Sequence, residues 1–236
     1  MAESHTIAEN IHQIQLRLDT YAALYNRPRS GIRLLAVSKG HAAAALRQAY
    51  HSGLHEFGES YLQEAVIKIQ ALSDLAITWH YIGGIQSNKT RDIAMHFDWV
   101  HSIDRLKIAQ RLSEQRPADK PPLQVCLQIN ISNEPGKSGI APGELHQLAA
   151  AVSQLPRLQL RGLMALPQAS DDISQQRLAF RQMHQTFMQL QGQGFMLDTL
   201  SMGMSGDMEA AVAEGSTLLR IGTAIFGERP ATQQIK

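Results

Sequence analysis

Eight short apolar runs are spaced along the chain, and nearly all are separated from the next by a segment of helical periodicity. The runs occupy residues 32–37, 55–58, 77–82, 99–103, 123–131, 158–166, 199–204 and 217–221. Short apolar runs bounded by breaks read as buried strands. Between them, residues 42–51, 61–72, 89–96, 105–115, 144–154 and 208–213 read as helices. So does a longer segment marked by Ile173, Phe180, Met183, Phe187 and Leu190. Strands that alternate with helices predict an α/β protein with a parallel sheet, and eight units in 236 residues fit a single (β/α)8 barrel of the TIM type. An open doubly wound sheet is the alternative. It asks for a Gly-rich turn after the first strand, which Ser38-Lys39-Gly40 does not supply. Ile7, Ile11, Ile14 and Leu18 mark an extra amphipathic helix at about 4–26, ahead of a barrel at about 32–228. The whole chain reads as one domain, with the Pro-rich stretch 116–122 as a long loop.

Composition narrows the function classes. The chain is 44% hydrophobic and 18% charged, which predicts a packed core. Its 22 Lys and Arg face 21 Asp and Glu, so no charge excess points to nucleic acid or a membrane surface. The start of the sequence has no basic and apolar leader pattern, and no run is long enough to span a bilayer. A cytoplasmic, soluble protein is expected. Cys126, the single cysteine, sits in the apolar fifth run and reads as a buried thiol. The histidines show no H-x-H or H-E-x-x-H spacing, so no metal site is expected.

The chemistry concentrates in residues 200–227, where Ser201, Gly203, Ser205, Gly206, Gly215, Ser216, Arg220, Gly222 and Thr223 surround two apolar runs. Glycine lets a backbone approach a ligand, and free N–H groups at a helix start attract anions. In a barrel, phosphate is often held by the loops after strands seven and eight, and strand one is the next neighbour. Lys39 follows strand one, so it reads as the reactive partner of a phosphate site. Burial at a strand end favours its neutral amine, which attacks aldehydes; a lysine that snorkels to water is the commoner case. Arg220 faces either a phosphate or a ring nitrogen, or pairs with an acidic residue such as Glu228. His80 is either a satisfied core histidine or a site residue, since its strand leads into Ile82-Gly83-Gly84-Ile85. Gly136-Lys137-Ser138 looks like a phosphate loop but lacks the earlier glycine.

Several ordered segments carry a resemblance: Leu34-Leu35-Ala36-Val37-Ser38-Lys39, Phe57-Gly58-Glu59, Trp79-His80-Tyr81-Ile82-Gly83, His101-Ser102-Ile103-Asp104-Arg105, Arg161-Gly162-Leu163-Met164-Ala165-Leu166-Pro167, Ser201-Met202-Gly203-Met204-Ser205-Gly206-Asp207 and Arg220-Ile221-Gly222-Thr223. Together they resemble the pyridoxal phosphate homeostasis protein family, short relatives of the alanine racemase N-terminal barrel. The resemblance implies a pyridoxal-phosphate-binding barrel of fold type III, with the cofactor held by Lys39 as a Schiff base. It implies that Ser205, Gly222 and Thr223 hold the phosphate, that Arg220 sits by the pyridine nitrogen, and that Ser201 and Met204 line the pocket. His80 and Ser60 are further candidates; Ser60 stands where the family reads Asn. The implied function is vitamin B6 homeostasis, holding pyridoxal 5′-phosphate and buffering or delivering it to apo-enzymes or free amino acids, without robust catalysis. The racemases carry a second domain that supplies an opposing tyrosine; this sequence ends nine residues after Gly227, so that domain and its dimer are not expected, and a monomer is. A racemase of narrow activity is the alternative, and an aldolase-type enzyme using Lys39 on a sugar aldehyde is a third reading.

Overall fold

The computed structural model describes residues 6–131 and 138–229. The strands are β1 (Arg33–Val37), β2 (Glu56–Glu59), β3 (Thr78–Tyr81), β4 (Trp99–Ile103), β5 (Leu123–Ile129), β6 (Leu158–Ala165), β7 (Thr199–Ser201) and β8 (Leu218–Ile221). They close into a parallel barrel in sequence order, with β8 paired to β1. The helices are α1 (Ile7–Leu24), α2 (Ala43–His51), α3 (Leu62–Ala71), α4 (Thr90–His96), α5 (Leu106–Gln115), α6 (Leu145–Ser153), α7 (Ile173–Gly192), α8 (Met208–Ala213) and α9 (Thr223–Phe226). This is the (β/α)8 barrel with an extra N-terminal helix that the alternation predicts. No helix of the described residues is long and apolar enough to cross a membrane.

The first helix has a reason to start and a place to dock. Thr6 caps it, accepting from the Glu9 N–H while the Glu9 carboxylate accepts from the Thr6 N–H. Ile11, Ile14, Leu18 and Ala22 lie on one face and are buried. The helix after β8 is only four residues long, and α1 takes the space between α8 and α2 where a full eighth helix would pack. Asn10 Nδ2 donates to the Ile225 carbonyl at 2.9 Å, and the Tyr25 hydroxyl to Glu209 at 2.9 Å.

Strand alternation sorts two layers. Val100, Val125, Leu127, Leu163, Leu200, Leu219 and Ile221 face outward and join the helices in one large apolar core. Inside the barrel, Trp99, Cys126 and Met164 form a small separate cluster. Burial pushes the Cys126 thiol up to about 12, as an inert core thiol requires. Around that cluster the lumen is polar: Arg220, Ser201, His101 and His80 stand within hydrogen-bond distance of one another in turn, and Glu56 approaches His80 at 3.4 Å and Arg33 at 3.5 Å.

Strand ends are shorter than the sequence predicts. The seventh run is expected to reach Met204, but β7 stops at Ser201. Gly203 adopts φ +95°, and a Cβ there would lie 2.4 Å from the Ala211 Cβ. The chain therefore turns at a residue that only glycine fits. The turn aims Met204, Ser205 and Gly206 at the barrel mouth.

Candidate functional site

Because β8 pairs with both β7 and β1, the ends of these strands meet at one mouth. A cavity of about 300 Å³ lies there. Lys39, Met204, Ser205, Arg220, Gly222 and Thr223 line it, with Ser60 from the loop after β2. Val37, Ile82, Met164 and Leu166 supply its apolar wall.

The turn that carries Lys39 is fixed from below. Ser38 is fully buried, and its hydroxyl donates to Glu59 Oε1 at 2.6 Å. Lys68 Nζ, on α3, donates to the same carboxylate at 2.7 Å and to the Ser38 carbonyl at 2.8 Å. Glu64 accepts from Lys68 and, at 2.6 Å, from the Gly40 N–H. Both neighbours of Lys39 are thereby tied to α3. Burial pushes the Glu59 carboxyl up, against the pull of Lys68 and Ser38. Lys39 itself is half-buried and makes no hydrogen bond or ion pair to a described residue. Burial first, then the Arg229 and Arg220 cations, pushes its ammonium below the usual lysine range, with Glu59 pulling the other way. That raises the share of nucleophilic amine.

Arg220 forms the inner wall. Its Nη1 donates to the Ser201 carbonyl at 2.6 Å and to the Ser201 hydroxyl at 2.9 Å, and its Nη2 donates to the Ala165 carbonyl at 2.9 Å. Burial lowers it to about 10, with Asp207 and Cys126 opposing, so it stays cationic at neutral pH. At the ends of β7 and β8, the N–H groups of Ser205, Gly206, Thr223 and Ala224 donate to no acceptor among the described residues. A Cβ on Gly206 would meet nothing within 4 Å, whereas one on Gly222 would lie 3.1 Å from the Val37 carbonyl oxygen. The loop after β7 has open space at Gly206, whereas the turn after β8 is tight against β1 at Gly222.

The sequence-derived residues fall into layers. Lys39, Ser60, Met204, Ser205, Arg220, Gly222 and Thr223 share the cavity wall. Ser201 lies one hydrogen bond behind it, on Arg220. His80 does not line the cavity; it is fully buried in the lumen, 2.9 Å from His101, which in turn lies 2.8 Å from Ser201. Ser60 is held by a close approach, since a Cβ on Gly83 would lie 2.3 Å from its carbonyl oxygen. Lys137 lies outside the described residues. Sequence reasoning did not single out His41 and Arg229, which also line the cavity, or the Glu59–Lys68 pair beneath it. His41 stacks on Phe226 at 5.0 Å, a contact between residues far apart in sequence. The period-two placement of His80 and His101 on adjacent strands was a usable signal for the lumen chain.

The sequence matches the alanine racemase, N-terminal domain, over residues 8–230. It is 57% identical to the pyridoxal phosphate homeostasis protein of Pseudomonas aeruginosa over 224 residues, covering 95% of this chain and 96% of that one. It is 52% identical to the protein of the same name from Escherichia coli over 226 residues, covering 94% and 97%. Among solved structures, PipY of Synechococcus elongatus with PLP bound matches at a TM-score of 0.82 and 38% identity, covering 94% of this chain and all of that one. The alanine racemase of Corynebacterium glutamicum matches at a TM-score of 0.70 and 17% identity, which shows a shared barrel and no more. A barrel of this topology, matched along nearly its whole length by these relatives, belongs to the alanine racemase N-terminal domain family, among its pyridoxal phosphate homeostasis proteins.

Proposed function

We propose that the chain binds pyridoxal 5′-phosphate in the mouth cavity and serves its homeostasis, holding the cofactor on Lys39 and releasing it to other amines. One observation carries the reading. A lysine with a depressed proton affinity lines the same cavity as Ser205, Gly206 and Thr223, whose N–H groups have no acceptor among the described residues and lie beside two hydroxyls. The residues fit the group at both ends. The N–H groups of Ser205, Gly206, Thr223 and Ala224, with the Ser205 and Thr223 hydroxyls, suit a phosphate. Arg220 suits the ring nitrogen, and Met164, Ile82 and Leu166 suit the ring faces.

Bound there, pyridoxal phosphate supplies an electrophilic aldehyde carbon that reacts reversibly with amines. The protein's own residues do the rest. Lys39 offers the amine, its hold on the proton weakened by burial and by two nearby cations. The Glu59–Lys68 network holds the turn on which it stands. Arg220 would hold the ring nitrogen, and its fixed positive charge would disfavour a proton there and so weaken the ring as an electron sink. That favours storage over racemisation. The names of the relatives, and the PLP-bound PipY structure, support the reading. We place the protein in the cytoplasm as a monomer, with apo-enzymes and free amino acids as recipients.

The test is the near-visible absorption of the purified protein with added pyridoxal phosphate, before and after borohydride. A pyridoxyl group fixed on the Lys39 peptide, absent in Lys39→Ala, is expected. A protein that stays colourless with the cofactor added overturns the reading. Transfer to an apo-enzyme, followed by recovery of its activity, tests delivery; no transfer from loaded protein removes that part. Light scattering that finds a dimer removes the monomer assignment.

A further inference from the structure

A row of polar side chains crosses the barrel from the cavity to the opposite end. Arg220 Nη1 donates to Ser201 Oγ at 2.9 Å. Ser201 Oγ lies 2.8 Å from His101 Nδ1, and His101 Nε2 lies 2.9 Å from His80 Nδ1. His80 Nε2 then stands 3.4 Å from Glu56 Oε2, at the start of β2. At that distance the two buried atoms form no hydrogen bond with each other or with any other described residue, and Arg33 stands 3.5 Å from the same oxygen. Both rings are fully buried, and the His80 ring stacks on Trp99 at 5.4 Å.

The two ends set the direction of the row. A guanidinium can only donate, and a carboxylate can only accept. If the Ser201 hydroxyl donates to His101 Nδ1, His101 carries its hydrogen on Nε2 and gives it to His80 Nδ1. His80 then carries its hydrogen on Nε2, facing Glu56. Every hydrogen then points toward an acceptor, the last toward the Glu56 carboxylate 3.4 Å away, and both rings are neutral. The reverse order fails twice. The Ser201 hydrogen would have no acceptor, because its other neighbour is Arg220, and a bare His80 nitrogen would face a carboxylate. A doubly protonated ring at either position also strands the Ser201 hydrogen.

The charged groups around the rings agree. Glu56, Arg33 and Asp98 act on His80; His80, Arg220 and Arg33 act on His101. Burial, the largest influence, pushes both rings below the usual histidine range, His101 well below it.

We propose that His101, His80 and Glu56 are positioning residues for the cavity. Through the row they hold the Ser201 oxygen as a fixed acceptor for Arg220. Ser201 and Ala165 take three of the five guanidinium hydrogens, and no bond to a described residue takes the other two of this cavity-lining arginine. The row rests on the cofactor reading only for what occupies that cavity.

The first test uses cofactor-free protein with ¹⁵N-labelled histidine. Long-range ¹H–¹⁵N spectra are expected to show His80 and His101 neutral, each with its hydrogen on Nε2. A hydrogen on Nδ1 of His101, or a doubly protonated ring near neutral pH, overturns the proposal, and no variant is needed. The second compares His101→Asn, whose Oδ1 replaces the Nδ1 acceptor, with His101→Leu, which has none. Solvent exchange of the Arg220 side-chain N–H groups is expected to speed up in the Leu variant and to return toward wild type in the Asn variant. Pyridoxal phosphate is expected to bind about tenfold to a hundredfold more weakly to the Leu variant, the scale of a hydrogen bond to a charged group, with recovery in Asn. Equal behaviour of Asn and Leu overturns the proposal. Failure of the wild type to bind pyridoxal phosphate overturns the cofactor reading, while the tautomers of the cofactor-free protein still decide the row.

Discussion

Lys68 Nζ lies 2.7 Å from Glu59 Oε1, both side chains buried, directly beneath the turn that carries Lys39. The pair does more than neutralise two charges. It ties the Ser38 carbonyl and hydroxyl to α3, so the base of Lys39 cannot drift.

Breaking that pair is expected to be costly. Removing one partner of a buried ion pair typically costs about 3–5 kcal/mol, because the other charge is stranded. Lys68→Met and Glu59→Gln should each lower the urea midpoint strongly, and the double variant should lose less than the sum of the two. Additive losses in a double-mutant cycle would show that the two side chains act independently.

Two neighbouring glycines are expected to behave differently. Gly203→Ala forces a side chain into a positive φ and against Ala211, and should cost about 1–3 kcal/mol. Gly206→Ala meets open space and should stay within about 0.5 kcal/mol of wild type. Thermal melts of the two variants give the comparison. Equal destabilisation would contradict the geometry of this turn.

Lys39 gives a pH-dependent term. Its folded-state value is lowered, chiefly by burial, so above that value the unfolded chain binds the extra proton. Stability from this group therefore rises with pH until the unfolded lysine also titrates, near about 10.4. Urea unfolding of wild type and Lys39→Met at pH 7 and pH 9.5 is the check. The wild type should gain on the variant at the higher pH; a constant difference would refute it.

The buried histidines set the acid limit. His80 and His101 are lowered by burial, whereas unfolded histidines take up protons near about pH 6.5. Stability is thus lost as pH falls from that point toward the lowered folded-state values, with roughly 1.4 kcal/mol per pH unit as the limiting slope for a ring that stays neutral in the folded state. His101→Asn should flatten the slope by about one proton in unfolding titrations between pH 6.5 and 5. An unchanged slope would mean that His101 is already protonated in the folded state.

The phosphate end is tested by comparing ligands. Wild type is expected to bind pyridoxal phosphate more tightly than pyridoxal. Ser205→Ala with Thr223→Val should narrow that preference about tenfold, the loss expected for one or two hydrogen bonds to an anion. Fluorescence titrations with both ligands decide it; an unchanged preference would move the phosphate elsewhere.

The sequence by itself determined the barrel. Eight apolar runs separated by amphipathic helices leave few ways to bury one face of each helix, and a closed parallel sheet is the one that also buries every strand. It also placed Lys39 and residues 200–227 at strand ends, because strand direction dictates that all such ends share one mouth. Tertiary structure alone decided which polar groups meet. Glu59 and Lys68 pair from a strand and a helix, His41 reaches Phe226 across the chain, and His80 finds Glu56 on one side and His101 on the other. Period-two alternation tells which face a residue takes, but hydrogen bonds need registers and distances to within tenths of an ångström. Those come only from how the strands shear around the barrel.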